Sequence, residues 1–420
     1  MNQMTPNNIP QGYKATALGI IPQEWEVRPL NYLGAICSGG TPDTEVAEYW
    51  NGDIAWCTPS DITKLDTKYI ESTEVKITAK GLKESSATLL PPRSIVVCTR
   101  ATIGTAAICN TEIATNQGFK NIIPNEKTNP EWLYYIIIYS KPRLVRLGCG
   151  STFLEVSKKD FSRFKIVVPP LAEQRKIAEV LGVWDEAIEK QARLIEKLAL
   201  RKRGLMQRLL SAKLRLPGFS EPWKKVKLGE IGKFDKGYGV PKESIRNTGN
   251  KAITYGEIYT KHDFVIKKFT SYIDDETAVV SKKITQGAIL FTGSGETLED
   301  IGKCVAFIDN DIAYAGGDII IFNPSIEINS LVLSYCLNSA PVNAQKATYG
   351  QGHSVVHIYQ KDLAKLQVTI PSFSEQNAIA EVLTAADREI ELAKEKLERL
   401  RRQKRGLMQQ LLTGKKRIKY

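Results

Sequence analysis

No apolar run in this 420-residue chain comes near the length of a membrane-spanning helix; Ile136 to Ile138 and Ile319 to Phe322 are among the longest. Residues 1–8 are polar and carry no signal-peptide pattern. The seven cysteines (Cys37, Cys57, Cys98, Cys109, Cys149, Cys304, Cys336) are scattered, odd in number and never spaced as a CxxC pair. That argues against a disulfide framework or a zinc site, and for reduced, mostly buried thiols. Together these absences predict a cytoplasmic protein with no membrane partner. There is no Walker A loop for ATP and no PD-(D/E)xK-like nuclease constellation. His353 and His357 stand four apart, but no helix is expected there and no carboxylate completes a facial set, so no metal is expected.

What the chain does have is positive charge, with a formal net charge of +12. Such a surplus suits a polyanion such as nucleic acid or an anionic surface; the bland reading is solubility alone. A chain of this length exceeds one core and predicts two or more domains.

One segment occurs twice. Residues 169–212 and 371–414 align at a constant offset of 202 without a gap, and about half the positions are identical. The shared blocks include Glu173-Gln174 with Glu375-Gln376, residues 177–181 with 379–383, and residues 202–207 with 404–409. A repeat of this length divides the chain into two copies of one unit, a body followed by a long helix.

Both copies carry a heptad. Leu181, Trp184, Ile188, Gln191, Ile195, Leu198, Lys202, Leu205 and Leu209 alternate at spacings of three and four. The matching set is Leu383, Ala386, Ile390, Ala393, Leu397, Leu400, Lys404, Leu407 and Leu411. This is a coiled-coil seam, and the economical expectation is that the two helices pack on each other; the alternative is that each folds back on its own body. Gln191, Lys202 and Lys404 put polar groups into the seam, either to fix register or to reach solvent. Gly204 and Gly406 lie inside the helices, where close approach of another backbone or local fraying would account for them.

The bodies differ in kind. Short β-rich runs at residues 94–98, 165–168, 288–291 and 318–322 are separated by turns, with helical stretches near residues 132–140 and 331–338. Each body reads as an α/β (α+β) domain of roughly 150 residues. The domain plan is therefore residues 1–168 and 217–370 as bodies, and 169–216 and 371–420 as helices. A faint skeleton relates the bodies: Trp25, Leu30 and Gly34 answer to Trp223, Leu228 and Gly232, and Lys159-Asp160 to Lys361-Asp362. Near-identical helices carry divergent bodies.

These residues resemble the DNA-specificity (S) subunit of type I restriction–modification enzymes, over nearly the whole chain. The signature is Pro-x-x-x-Glu-Gln-x-x-Ile-Ala-x-x-Leu opening a long helix, found at residues 169–181 and again at 371–383. The Lys-Arg-Gly-Leu-Met-Gln helix end, the segment at residues 19–25, and Ser38-Gly39-Gly40-Thr41-Pro42 followed by residues 49–54 are also similar to the family. The resemblance implies two target-recognition domains, each reading half of a bipartite, asymmetric site in double-stranded DNA. It implies a pseudo-two-fold molecule whose helices form an antiparallel coiled coil, acting as ruler and as docking surface. Two methyltransferase (M) subunits and restriction/translocase (R) subunits would be the partners. S-adenosylmethionine, ATP and Mg are expected on those partners, with no cofactor and no catalytic residue in this chain.

Candidate base readers lie in loops where glycine lets a backbone approach a duplex. They are Ser38, Gly39, Gly40, Thr41, Arg100, Asn116, Gln117 and Thr152 in the first body, and Lys236, Tyr238, Thr292, Ser294, Tyr349, Gln351 and His353 in the second. Basic candidates for phosphate contacts include Arg93, Lys120, Lys141, Arg143, Arg146, Lys158 and Lys159, then Lys233, Lys242, Arg246, Lys267, Lys268, Lys282 and Lys283. The default reading of any one of them is a solvated surface charge, and of each loop an ordinary hairpin turn. The competing reading is a self-contained adenine-specific DNA methyltransferase. Phe291-Thr-Gly-Ser-Gly295 matches an FxGxG cofactor loop, but Asn323-Pro-Ser-Ile326 lacks the aromatic residue that would hold a flipped base.

Overall fold

Two forty-residue helices, Leu171–Leu210 and Phe373–Leu412, form where the heptads lie. Each starts just after its proline, and each exits through a left-handed residue, Ala212 at φ 55° and Gly414 at φ 72°. All eighteen heptad positions are buried or half-buried, while Arg193, Glu196, Lys197, Lys394, Glu395 and Arg399 around them are exposed. The computed structural model of the chain describes residues 9–148, 154–352 and 355–418.

The chain divides into two compact units, residues 1–195 with 393–420, and residues 196–392. Both boundaries fall inside the long helices. Each unit therefore holds one body, the first half of that body's own helix, and the second half of the other helix. The expected helix pair and its alternative are both realised. The first turns pack on their own body, and the remainder pairs with the other helix.

In the first unit a five-stranded sheet runs in the order Gly34–Ser38, Phe119–Pro124, Ile95–Cys98, Ala106–Cys109, Tyr69–Ile70, antiparallel except for the last pair. Beside it Trp50–Cys57 pairs parallel with Ile113–Thr115 and antiparallel with Lys76–Ile77. Helix Pro130–Tyr139 follows the sheet, started by Asn129, whose side chain accepts from the Trp132 N–H. The core joins Trp25, Trp132 and Tyr135 to Ile177 and Leu181 of the first long helix and to Met408, Leu411 and Leu412 of the second.

The second unit repeats the plan. Gly232–Lys236, Ile319–Pro324, Ile289–Thr292 and Cys304–Ala306 form an antiparallel sheet. Ser271–Ile273, Asn250–Ile253, Ala313–Ala315 and Lys282–Ile284 form the companion. Helix Ser330–Leu337 packs Tyr335 against Leu209, Ile379 and Leu383. Five cysteines are buried and Cys37 is half-buried, while Cys149 lies outside the described residues. Burial pushes the Cys98 and Cys304 thiols up to about 11, which keeps them protonated and unreactive.

The repeated Glu-Gln pair has a job in both units. Glu173 is fully buried; it accepts from the Trp25 indole at 2.8 Å and from Arg417 at 2.7 Å. Glu375 accepts from Trp223 at 3.1 Å and from Arg215 at 2.7 Å. Gln174 and Gln376 each accept a backbone N–H, from Asn129 at 2.9 Å and Asn329 at 2.8 Å, and so tie the long helix to the start of the body's helix. Arg215 and Arg417 are matched positions of the repeat. Each serves the other copy's glutamate.

The seam lysines follow the same crossed rule. Lys404 pairs with Asp185, which also accepts from Tyr135 and lies 3.6 Å from Lys68. Lys202 pairs with Asp387, which accepts from Tyr335 at 3.2 Å and lies 3.9 Å from Lys267. The lysine side chains are only 14% and 16% exposed, so they do not escape to water. They set register, and Gln191 adds a bond to the Ala393 carbonyl at 3.0 Å. These contacts run in opposite sequence directions along the two helices, so the pair is antiparallel.

Gly204 and Gly406 correct an expectation. Among the described residues outside the helix's own adjoining turns, nothing lies within 4 Å of where either Cβ would sit, so no other described backbone approaches them. Gly406→Ala should therefore stabilise the chain by up to about 1 kcal/mol through helix propensity alone, visible as a raised unfolding midpoint. A loss of stability would show that the position is packed rather than open.

Candidate nucleic-acid interface

In the first unit three loops meet where the strands Gly34–Ser38 and Ile95–Cys98 end and Phe119–Pro124 begins. The Gly40 N–H donates to the Thr115 carbonyl at 2.9 Å, and Asn116 N–H to Cys57 at 3.0 Å. The Thr99 N–H donates to Gly118 at 2.8 Å, and Val156 N–H to Thr99 at 2.9 Å. Arg100 and Glu155 then form a bridge beyond the strand ends. A Cβ on Gly39 would fall 1.8 Å from the Asn116 carbonyl oxygen, so the loops meet only because this residue is glycine.

The second unit builds the same cleft bond for bond. Tyr238 N–H donates to Ala315 at 3.0 Å, Gly316 N–H to Ile253 at 2.9 Å, Gly293 N–H to Asp318, and Ile358 N–H to Gly293 at 3.0 Å. Ser294–Gly295 pairs with Val356–His357, matching the Arg100–Glu155 bridge. This correspondence sets Gly40 against Tyr238, Asn116 and Gln117 against Gly316 and Gly317, Lys120 against Ile320, Arg100 against Ser294, and Glu155 against His357. The opening here is a cleft of about 600 Å³ lined by Lys236, Ser294, Asp318, His357, Tyr359 and Lys361, among others.

Most of the expected base readers converge on these clefts. Ser38, Gly39, Gly40, Thr41, Arg100, Asn116 and Gln117 surround the first, and the Thr41 hydroxyl is bonded to Gln117. Lys236, Tyr238 and Ser294 surround the second, with Lys236 and Tyr238 exposed. Gln351 is exposed and exchanges two backbone bonds with His357. Thr292 is fully buried, its hydroxyl on Tyr259 and the Lys303 carbonyl, so it supports the cleft from beneath. Tyr349 packs against the core under Lys365. Thr152 and His353 lie outside the described residues.

Several basic candidates are already engaged. Lys282 holds Asp235 and keeps its carboxyl below the usual carboxylate range. Lys267 serves the helix seam through Glu391 and Asp387, Arg246 faces Asp274 at 3.7 Å, and Arg93 faces Glu131 at 3.6 Å. Arg143 stacks on Phe164, and burial lowers its pKa. Lys158, Lys159, Lys236 and Lys361 remain exposed beside the clefts and are the better placed for phosphates. Glu155 and His357 were not singled out from sequence as readers, because only strand register brings them to the cleft mouth.

The family model described as the type I restriction modification DNA specificity domain matches residues 22–199 and again 220–402. The chain belongs to that specificity family. The putative type I restriction enzyme MjaX specificity subunit of Methanocaldococcus jannaschii is 24% identical over 97% of both chains. The MjaIX specificity subunit of the same organism is 39% identical, but the match spans only 45% of each chain. The S subunit from M. genitalium shares the fold at a TM-score of 0.53 and 16% identity, covering 92% of this chain and 96% of that one. A structure described as showing complex assembly and conformational transition of the type I R-M system superposes at 0.63 with 18% identity, covering 94% and 99%.

A specificity-family fold leaves the methyltransferase motif without its setting. Phe291 and Thr292 end a sheet strand, and residues 293–295 continue into a second short strand rather than into a helix. Among the described residues no group of His, Cys, Asp and Glu could hold a metal, and no helix is long and apolar enough to cross a membrane.

Proposed function

We propose that this chain selects the DNA sequence for a type I restriction–modification complex, in the cytoplasm, without catalysing a reaction itself. The observation that carries the proposal is the pair of clefts. They share one backbone plan and differ in side chains, as two readers of two different half-sites must. Exposed lysines beside each cleft would grip phosphates, and polar groups within would meet base edges in double-stranded DNA. The outer faces of the helix pair would dock two methyltransferase subunits, with restriction/translocase subunits joining them. S-adenosylmethionine, ATP and Mg would act on those partners.

The test is to co-express the chain with a partner methyltransferase and map the modified adenines. A two-part motif with an unread spacer is expected. Exchanging residues 19–165 for the corresponding body of a relative should change one half-site and spare the other. The chain purified alone should not methylate DNA; if it did, the methyltransferase reading would replace this one.

A further inference from the structure

The matched clefts allow the half-site readers to be named, on the premise that the proposed DNA selection holds. We infer that Glu155 and His357 each read a base edge in their own half-site, and that Lys120 and Ser294 hold them in place. The two readers occupy one position of the shared plan, each held by a buried anchor that comes from a different position in its own cleft.

In the first cleft Lys120 is buried in the sheet, its side chain 7% exposed, and its ammonium lies 3.4 Å from the Glu155 carboxylate, which is 41% exposed. The anchored carboxylate is a solvent-accessible acceptor. Its natural partner in the major groove is an exocyclic amine, of cytosine or adenine. In the second cleft Ile320 replaces Lys120, so no buried charge is present at that position. Ser294, 6% exposed, instead bonds the Nδ1 of exposed His357 at 3.0 Å. His357 lines the cleft, and with Nδ1 engaged Nε2 is the ring nitrogen left to meet a base edge. The serine fixes the ring plane, as the lysine fixes the carboxylate. Backbone pairing is the same beneath both, through the Arg100–Glu155 and Ser294–His357 bridges. A difference in side chain at a fixed backbone position is the simplest way to give two half-sites different identities.

The test uses the full chain in complex with its methyltransferase, with motif mapping as the readout. Glu155→Gln should relax one base-pair position in one half-site, with roughly tenfold to hundredfold less discrimination there. His357→Ala should do the same in the other half-site. Lys120→Ile installs the residue the second cleft already tolerates, and should relax the same position as Glu155→Gln, whereas a purely structural lysine would lower stability and leave the motif intact. An unchanged motif in both reader variants overturns the inference, as does a change falling in the same half-site for both. If a variant abolishes modification, duplexes altered one base pair at a time are bound to the complex instead. Equal weakening on all of them also overturns it. A wild-type complex that modifies no two-part site would sink the proposed function itself, a result separable from these.

Discussion

Glu173→Ala is expected to destabilise the chain by about 3 kcal/mol or more, the cost of stripping one partner from a buried ion pair. The carboxylate is fully buried and satisfies two donors, the Trp25 indole at 2.8 Å and Arg417 at 2.7 Å. Its loss would leave an indole N–H without an acceptor in the core and a guanidinium without its counter-charge. Arg417 is 32% exposed and also reaches Glu24 at 3.0 Å, so it can recover part of its solvation. That places the cost toward the lower end of the usual 3–5 kcal/mol. Glu173→Gln keeps an acceptor for Trp25 and should cost less. Glu375→Ala should behave alike in the second unit, where Arg215 is 25% exposed. Denaturant unfolding of the full chain measures all three. A loss below about 1 kcal/mol for both alanine variants would show that the crossed glutamate–arginine contacts do not hold the helix segments within each unit.

Much of this architecture is legible in the sequence, because a constant offset and a heptad are one-dimensional signals. The seam positions, the start of each long helix at its proline, and the two body helices all follow from them. The crossing of the copies is less legible. Arg215 and Arg417 look like tail residues of their own helices, and only folding shows that each one completes the other copy's glutamate site. Lys202 and Lys404 leave a choice between register and solvent, which their ion pairs with half-buried Asp387 and Asp185 decide. The clefts split the same way. Glycine-rich loops such as Ser38 to Thr41 announce themselves, since close backbone approach demands glycine. Glu155 and His357 do not: a lone acidic residue carries no pattern, and the spacing of His357 from His353 points to a metal rather than to a base, until a strand pairing places them. Thr292 erred in the other direction: it sits in a glycine-rich motif, yet strand alternation turns its hydroxyl inward onto Tyr259.

The same crossed contacts set the terms for changing spacer length. Asp185 and Lys202 are separated along the first helix by the same number of residues as Asp387 and Lys404 along the second, and the four form two reciprocal ion pairs. Seven residues inserted into the first helix alone, within residues 192–199, would keep its heptad phase but leave the second helix one heptad short. One of the two ion pairs would then have to break, and the seam between them would slip. That single insertion should destabilise the chain and blur the recognised spacer. A matched insertion within residues 394–401 of the second helix restores both pairs. The doubly lengthened chain should fold, keep both half-sites, and recognise a spacer longer by about 3 base pairs, from seven residues at a 1.5 Å rise against 3.4 Å per base pair. Motif mapping in the methyltransferase complex reads the result directly. An unchanged spacer in a stably folded double insertion would overturn the role of the helix pair as the ruler between half-sites, and a changed half-site with a constant spacer would do so as well.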